Sequence, residues 1–264
     1  MINKLNEICP FYKNGTSNRE LRHDFFKNIE TEIQAYLLGF IMSDGSVNEK
    51  RHTLTININK QDEEIFEFFK IISPEAHIGK QKVYESIATV RGRSVKNNGS
   101  VRISISSKVL VDDLKQFGIV QNKTYNELHI PNINPELLRH FIRGYFDGDG
   151  CITGYIAYPK PVELQTTKDI KKPSVRMSMQ IDAKTSSLVL DIQKTLMTFD
   201  INTNINYLKR DDMYRVCTAS KKEIAKIFKY FYIDANFYLS RKFTKFNYYV
   251  NTEVSQLIAD HRNA

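Results

Sequence analysis

The chain has 264 residues, 41% hydrophobic and 26% charged, an ordinary globular balance that argues against disordered, collagenous or low-complexity readings. No stretch approaches the roughly 18 uninterrupted apolar residues of a membrane helix, and Met1 to Pro10 lack an apolar core of signal-peptide length, so no membrane association is expected. Thirty-eight Lys and Arg against 30 Asp and Glu leave a formal charge of +8 and a pI near 9.2, the balance of a chain that seeks polyanions, nucleic acid above all.

Residues 1–30 form an extension whose Arg19, Arg22, His23 and Lys27 either reach such a polyanion or belong to a packing arm; composition does not choose. The spacing then predicts a helix over Glu32–Ser43, a short strand at Ser46–Asn48 and a strand over Thr53–Asn59. In the last, Leu54, Ile56 and Ile58 alternate with Thr53, Thr55, Asn57 and Asn59, the period of a half-buried strand. Ile65, Phe66, Phe69 and Ile72 lie on one face of a helix expected over Asp62–Ile72. Strands at Lys82–Val90 and Val101–Ser106 follow, with Asn98-Gly99 as a turn signal, and a helix at Lys108–Phe117. The order recurs as helix Pro135–Gly148, strands Cys151–Ala157 and Val175–Ile181, helix Thr185–Phe199, strands Asn202–Leu208 and Met213–Thr218, and helix Lys221–Tyr232. Pro159–Pro173 reads as an extra exposed loop.

The recurrence is visible in the residues themselves. Leu37, Gly39, Phe40, Ile41 and Asp44-Gly45 align with Ile142, Gly144, Tyr145, Phe146 and Asp149-Gly150, 105 positions later. The expected divisions are an extension (1–30), two repeats (31–130 and 131–250) and a tail (251–264). The expected fold class is α+β: two pseudo-symmetric repeats of helix, two strands, helix, two strands, helix.

Four strands share a polar face poor in Asp and Glu, with Thr, Asn, Ser, Arg and Gln opposite apolar residues. Those side chains suit phosphates and base edges. The expected DNA-contacting set is Ser46, Asn48, Thr53, Thr55, Asn57, Arg91, Arg93, Arg102 and Ser104 in the first repeat. In the second it is Thr153, Tyr155, Arg176, Ser178, Asn202, Asn204, Asn206 and Arg215. Asp44 and Asp149 end the two matching helices, where the helix dipole makes a carboxylate uncomfortable. Gly39 and Gly144 lie mid-helix, at a cost of roughly 1 kcal/mol each against alanine, which close helix contact would explain. The pattern predicts paired helices that set two carboxylates side by side, an oxygen-ligand site suited to Mg²⁺. The six scattered histidines form no zinc pair, and the three cysteines (Cys9, Cys151, Cys217) form no CxxC, which fits a reducing interior.

Leu37-Leu-Gly-Phe-Ile-Met-Ser-Asp-Gly45 and Ile142-Arg-Gly-Tyr-Phe-Asp-Gly-Asp-Gly150 resemble the LAGLIDADG motifs of homing endonucleases in their monomeric, two-motif form. The resemblance spans about residues 30–250. It implies helices paired along the motifs, two saddle-shaped antiparallel sheets on a long asymmetric DNA duplex, and a site-specific double-strand DNA endonuclease connected with intron mobility. The metal site it implies holds Asp44 and Asp149 with the preceding Ser43 and Gly148, and Mg²⁺ for which Mn²⁺ or Ca²⁺ substitutes in binding. Lys123 and Lys242 match the basic residue that follows each repeat's last helix. Asn59 matches the polar residue ending the second strand, with Gln180 and Asp182 competing for that place in the second repeat. The sixth motif position, often acidic, is Asp147 in one copy and Met42 in the other, a departure expected to change packing rather than cleavage. An intracellular location with the host DNA follows, in bacterial or phage-infected cytoplasm or an organelle. The rival is an RNA maturase or DNA-binding regulator that uses the scaffold without cutting.

Overall fold

The computed structural model describes residues 2–14, 19–80, 87–90, 93–96, 99–123, 126–157 and 174–252. The chain opens with helix α1 (Ile2–Ile8) and a ribbon of β1 (Tyr12–Asn14) and β2 (Arg19–Leu21). The first lobe follows: α2 (Glu32–Asp44), β3 (Gly45–Asn48), β4 (Thr53–Asn59), α3 (Ile65–Phe69), β5 (His77–Lys80), β6 (Ile87–Val90), β7 (Arg93–Lys96), β8 (Ser100–Ser106) and α4 (Lys108–Lys115). The second lobe has α5 (Pro135–Asp149), β9 (Gly150–Ala157), β10 (Ser174–Ala183), α6 (Ser186–Thr198), β11 (Asn204–Leu208), β12 (Met213–Thr218), α7 (Lys221–Tyr232) and α8 (Ser240–Asn251).

Each lobe builds one antiparallel four-stranded sheet with the same internal order, β3-β4-β8-β5 in the first and β9-β10-β12-β11 in the second. The α+β architecture of two repeats therefore holds. Alternation decides which face is inside: Leu54, Ile56, Ile58, Val101, Ile103 and Ile105 are buried in one lobe, and Ile152, Val175, Met177, Met179, Ile181 and Val216 in the other. Helices cover these faces, with Phe66, Phe69, Leu110 and Leu114 on the first and Leu188, Ile192, Ile227 and Phe231 on the second. No helix among the described residues is long and apolar enough to cross a membrane.

Helices α2 and α5 pack against each other at the centre. Helix α2 is buried on every side from Ile33 to Met42, as befits a helix with neighbours all round. Its start is fixed by Thr31 and Gln34: the Thr31 side chain at the N-cap accepts from Gln34 N, and the Gln34 side chain accepts from Glu30 N, just before the cap, at 3.1 Å. A Cβ on Gly39 would overlap the Phe141 carbonyl, and one on Gly144 would overlap the Tyr36 carbonyl. Since 36 and 141 differ by the same 105 positions as 39 and 144, the contact is reciprocal, as a pseudo-twofold axis requires. The glycines let backbone meet backbone.

The structure departs from the sequence expectations in four places. The helix expected over Asp62–Ile72 is shorter. The Asn59 side chain accepts from Gln61 N and winds Lys60–Asp62 into a tight 3-10 turn, and bonds to the third residue back, ahead of Pro74, close the far end. The strand partner of Val101–Ser106 is His77–Lys80, whereas Ile87–Val90 pairs with Arg93–Lys96 as a separate ribbon inserted between the two. Alternation in that stretch was compatible with either pairing, and register is a long-range choice. Strand β11 begins at Asn204, because Asn202 N donates to Glu223 Oε2 at 2.6 Å and is tied to α7. Helix α8 was not foreseen. Residues 81–86, Arg91, Asn98, the whole 159–173 loop and most of the 251–264 tail lie outside the described residues.

The extension resolves toward packing at Arg22. That residue is 3% exposed, and its guanidinium donates to the carbonyls of Leu5, Cys9 and Ile71 and to Asn6 Oδ1, fastening α1 against the first lobe. Leu5, Cys9, Leu21, Phe25 and Phe26 join the core.

Candidate active site

Helices α2 and α5 end on Asp44 and Asp149, and each chain turns at once into the first strand of its sheet. The crossing brings these ends together: a Cβ on Gly148 would lie 2.7 Å from Asp44 Oδ2. The Asp44 carboxylate is thus set against the backbone that leads into Asp149. Asp44 is half-buried and Asp149 reaches solvent. Burial and then the Asp149 charge push the Asp44 carboxyl up to about 6. The Asp149 carboxyl is also raised, mainly by burial. A charge pair of this kind has a high affinity for positive charge.

Lys123 and Lys242 occupy equivalent places beneath the helix ends, 9% and 7% exposed. Lys123 Nζ donates to Ser43 O at 3.1 Å and to Gly45 O. Lys242 Nζ donates to Phe146 O at 2.7 Å, Gly148 O at 3.1 Å and Gly150 O at 2.7 Å. Each ammonium therefore caps its own motif helix, where cations belong. Its field nevertheless acts across the axis: of the two lysines, Lys242 acts more strongly on Asp44, and Lys123 on Asp149. Burial lowers both lysine pKa values.

The sheet registers show which polar residues stand beside the aspartates. Gly45 pairs with Ile56 and Gly150 with Ile181, so one step further Asp44 faces Asn57 and Asp149 faces Asp182. Asn57 in turn pairs with Arg102, and Asp182 with Arg215. These are matching rows. The Arg215 fork donates to both Asp182 oxygens at 2.6 and 2.7 Å. Asn59 and Gln180 are not brought together with the aspartates in this way: Asn59 caps the 3-10 turn, and Gln180 pairs with Cys151 and Cys217. Tyr145 is a site residue the sequence reading missed. Its buried hydroxyl donates to Asp182 O at 3.1 Å and stands close enough to Asp149 for the two groups to shift each other's pKa. The signal was available, since Tyr145 aligns with Phe40 and differs by that one hydroxyl.

Ser43 Oγ lies against Gly148 beside the Asp44 carboxylate, with its proton donated to Phe40 O of its own helix at 2.8 Å. Met42 is core, whereas Asp147 is buried and accepts from Tyr36 Oη at 2.7 Å and Leu239 N at 2.8 Å, joining α2, α5 and the start of α8. Among the described residues no three or more His, Cys, Asp or Glu side chains gather as a metal cluster. The two carboxylates suit a hard divalent cation that fills the rest of its shell with water and substrate oxygens.

Outward from the aspartates run the polar sheet faces. Ser46, Asn48, Asn57, Arg102, Thr153, Tyr155, Arg176, Asn204 and Asn206 are exposed; Thr53, Thr55, Ser104, Ser178 and Arg215 are partly so. Cross-strand bonds between hydroxyls, such as Thr53 with Ser106 at 3.0 Å, keep the first face ordered. Arg93 lies in β7, and Arg91 lies outside the described residues.

Comparison with known proteins agrees with this geometry. Residues 136–232 match the model of the LAGLIDADG-like domain, and residues 33–93 that of the WhiA LAGLIDADG-like domain. Curated protein sequences contain no match. Among solved structures, the LAGLIDADG meganuclease I-AabMI bound to uncleaved DNA is similar at TM-score 0.53 and 12% identity, covering 82% of this chain and 89% of that one. The I-SmaMI LAGLIDADG homing endonuclease bound to cleaved DNA is similar at TM-score 0.52 and 12% identity, covering 89% and 92%. At these identities the likeness is one of fold. Both lobes carry the motif, both are matched by models of the same kind, and their helices pair as the motif demands: the chain belongs to the LAGLIDADG family.

Proposed function

We propose that the chain is a monomeric, site-specific double-strand DNA endonuclease of the homing type that hydrolyses one phosphodiester in each strand of a long asymmetric site. The observation that carries this reading is the placing of Asp44 against the Gly148-Asp149 backbone, at the inner end of two polar sheet faces. A divalent cation, Mg²⁺ in the cell, would supply there an activated water and charge neutralisation for the leaving oxygen. Asp44 and Asp149 would hold it in their ionised forms. Lys123 and Lys242 keep the helix ends rigid and add positive charge where a phosphodiester gathers negative charge. The sheet side chains orient the duplex, Arg102 and Arg176 toward phosphates or guanine and the Asn and Ser residues toward base edges.

A second reading, a nucleic-acid-binding protein that does not cut, draws on the first lobe's match to the WhiA-type model. Incubating fragmented DNA from the source genome with the protein and Mg²⁺, then sequencing new ends, separates the two. A discrete double-strand cut that vanishes in Asp44→Asn supports the endonuclease. Tight binding by the parent chain with no new ends supports the second reading.

A further inference from the structure

The first turns of α5 and the ends of α6 and α7 leave a groove of about 620 Å³ between them, a volume in the range of small-molecule sites. Arg139 on its wall is about 15 Å along α5 from Asp149, so the groove lies toward the far end of the motif helix from the two aspartates. Its apolar lining is large. Ile201 and Tyr230 are buried, while Phe199 and Ile233 stay 50% and 55% exposed, which leaves apolar surface uncovered in one place. The Phe199 ring leans on Tyr230, centroids 4.6 Å apart, and the pair forms one aromatic wall. Four charged side chains complete the lining: Glu136, Arg139, Lys226 and Lys229. Lys226 is spent on Asp200, 2.7 Å from Oδ2. Arg139 donates Nε to His140 Nε2 at 3.2 Å, and neither it nor Lys229 has a carboxylate partner among the described residues. Against these two cations stands one carboxylate, Glu136, so one positive charge is unmatched. Tyr230, 8% exposed, adds an unmade bond. Its buried hydroxyl has no partner among the described residues and is kept protonated by burial, with Arg139 near enough to act on it.

We propose that this groove binds a small amphipathic monoanion, an aliphatic or aromatic carboxylate, with its apolar body against Phe199, Ile201, Tyr230 and Ile233 and its head on Arg139 and Lys229. One carboxylate balances the one unmatched charge, whereas a phosphate monoester would bring nearly two. The Arg139 fork suits a carboxylate because two parallel N–H groups meet two oxygens, and Lys229 adds a point charge beside it. The head also brings an acceptor to the side of the groove where the Tyr230 hydroxyl lacks one. A neutral molecule of the same shape would fill the apolar wall but leave both cations unpaired. The groove shares no residue with the aspartate site, so the proposal stands apart from the endonuclease reading and from its cleavage assay.

The test is a fluorescence titration of the full chain with 1-anilinonaphthalene-8-sulfonate, an aromatic body with one negative charge, followed by displacement with decanoate and with decanol. The parent chain is expected to take up one saturable equivalent of the dye, and decanoate should displace it at a concentration at least tenfold below that of decanol. Arg139→Gln should weaken decanoate about tenfold and leave decanol unchanged. Glu136→Gln, at an exposed position, should tighten decanoate severalfold, a gain that damage to the fold cannot produce. Ile233→Asp, also exposed, should weaken both displacers. Equal displacement by decanoate and decanol, or dye binding that none of the three substitutions changes, overturns the proposal. Absence of saturable dye binding overturns it too, and leaves the groove to a segment of a partner protein.

Discussion

At the scale of single residues, the site is held at some cost to the fold. The Asp44 carboxyl ionises near 6 in the folded chain instead of at its ordinary value near 3.8, so folding favours its protonated form. The destabilisation is absent at pH values below the unfolded value and develops as the pH rises through the interval up to about 6. Asp44→Asn removes the ionising group. The difference in melting temperature between this variant and the cation-free parent should be small near pH 4 and should grow in the variant's favour above pH 6. Adding Mg²⁺ at pH 8 should raise the parent's melting temperature and leave the variant's unchanged, because only the folded, ionised pair binds it. The same proton competes with the cation. Mn²⁺ affinity should therefore fall as the pH drops through about 6, and calorimetric titration at two pH values measures it. A flat profile would mean that Asp44 is not part of the cation site.

At the scale of elements, the helix pair is the structure on which the site depends. Alanine at Gly39 or Gly144 would drive a methyl group into a backbone carbonyl of the facing helix, and a carbonyl cannot rotate away as a side chain can. Each substitution should cost about 3 kcal/mol or more in urea unfolding, at the upper end of overpacking effects, and should separate the two aspartates. The far end of the same pair is tied by charge. Arg143, fully buried, donates to Glu32 Oε1 at 2.8 Å and to the Phe231 and Phe237 carbonyls, and Glu32 accepts from Asn236 N and Nδ2. His140 beside Arg143 is pushed down to about 4 by burial, so it is neutral at ordinary pH. Arg143→Leu leaves Glu32 without its buried partner and should destabilise the chain by about 3–5 kcal/mol, measured in the same unfolding assay.

At the scale of the molecule, the two lobes are joined by more than the helix pair. Arg241 at the start of α8 forks onto Asp62 of the first lobe at 2.8 and 2.9 Å, and Ser240 N donates to Glu64 Oε1 at 2.6 Å. The neighbouring Lys242 is thereby anchored from both lobes. The net charge of +8 and the exposed arginines predict duplex affinity that falls steeply with salt. Arg102→Ala and Arg176→Ala should each weaken binding across many sequences and lower the slope of log K against log salt by about one, measured by fluorescence anisotropy. An unchanged slope would place those side chains off the phosphates.

Much of this was legible in the chain. The repeat, the motif aspartates and the helix-paired glycines follow from local pattern and from a spacing of 105, because symmetry writes the same physical demand twice, whereas the lysines beneath them came only from the family resemblance. The strand faces were legible for the same reason that alternation is: each side chain must choose inside or outside. Tertiary structure alone decided what depends on register and on contacts distant in sequence. It selected His77–Lys80 as the partner of β8, made Asn57 and Asp182 rather than Asn59 and Gln180 the neighbours of the aspartates, and withdrew Arg22 from the surface. It also joined Arg215 to Asp182 and Arg241 to Asp62. A shift of two residues along a strand keeps a side chain on the same face, so periodicity cannot see it, yet it moves that side chain nearly 7 Å toward or away from the site.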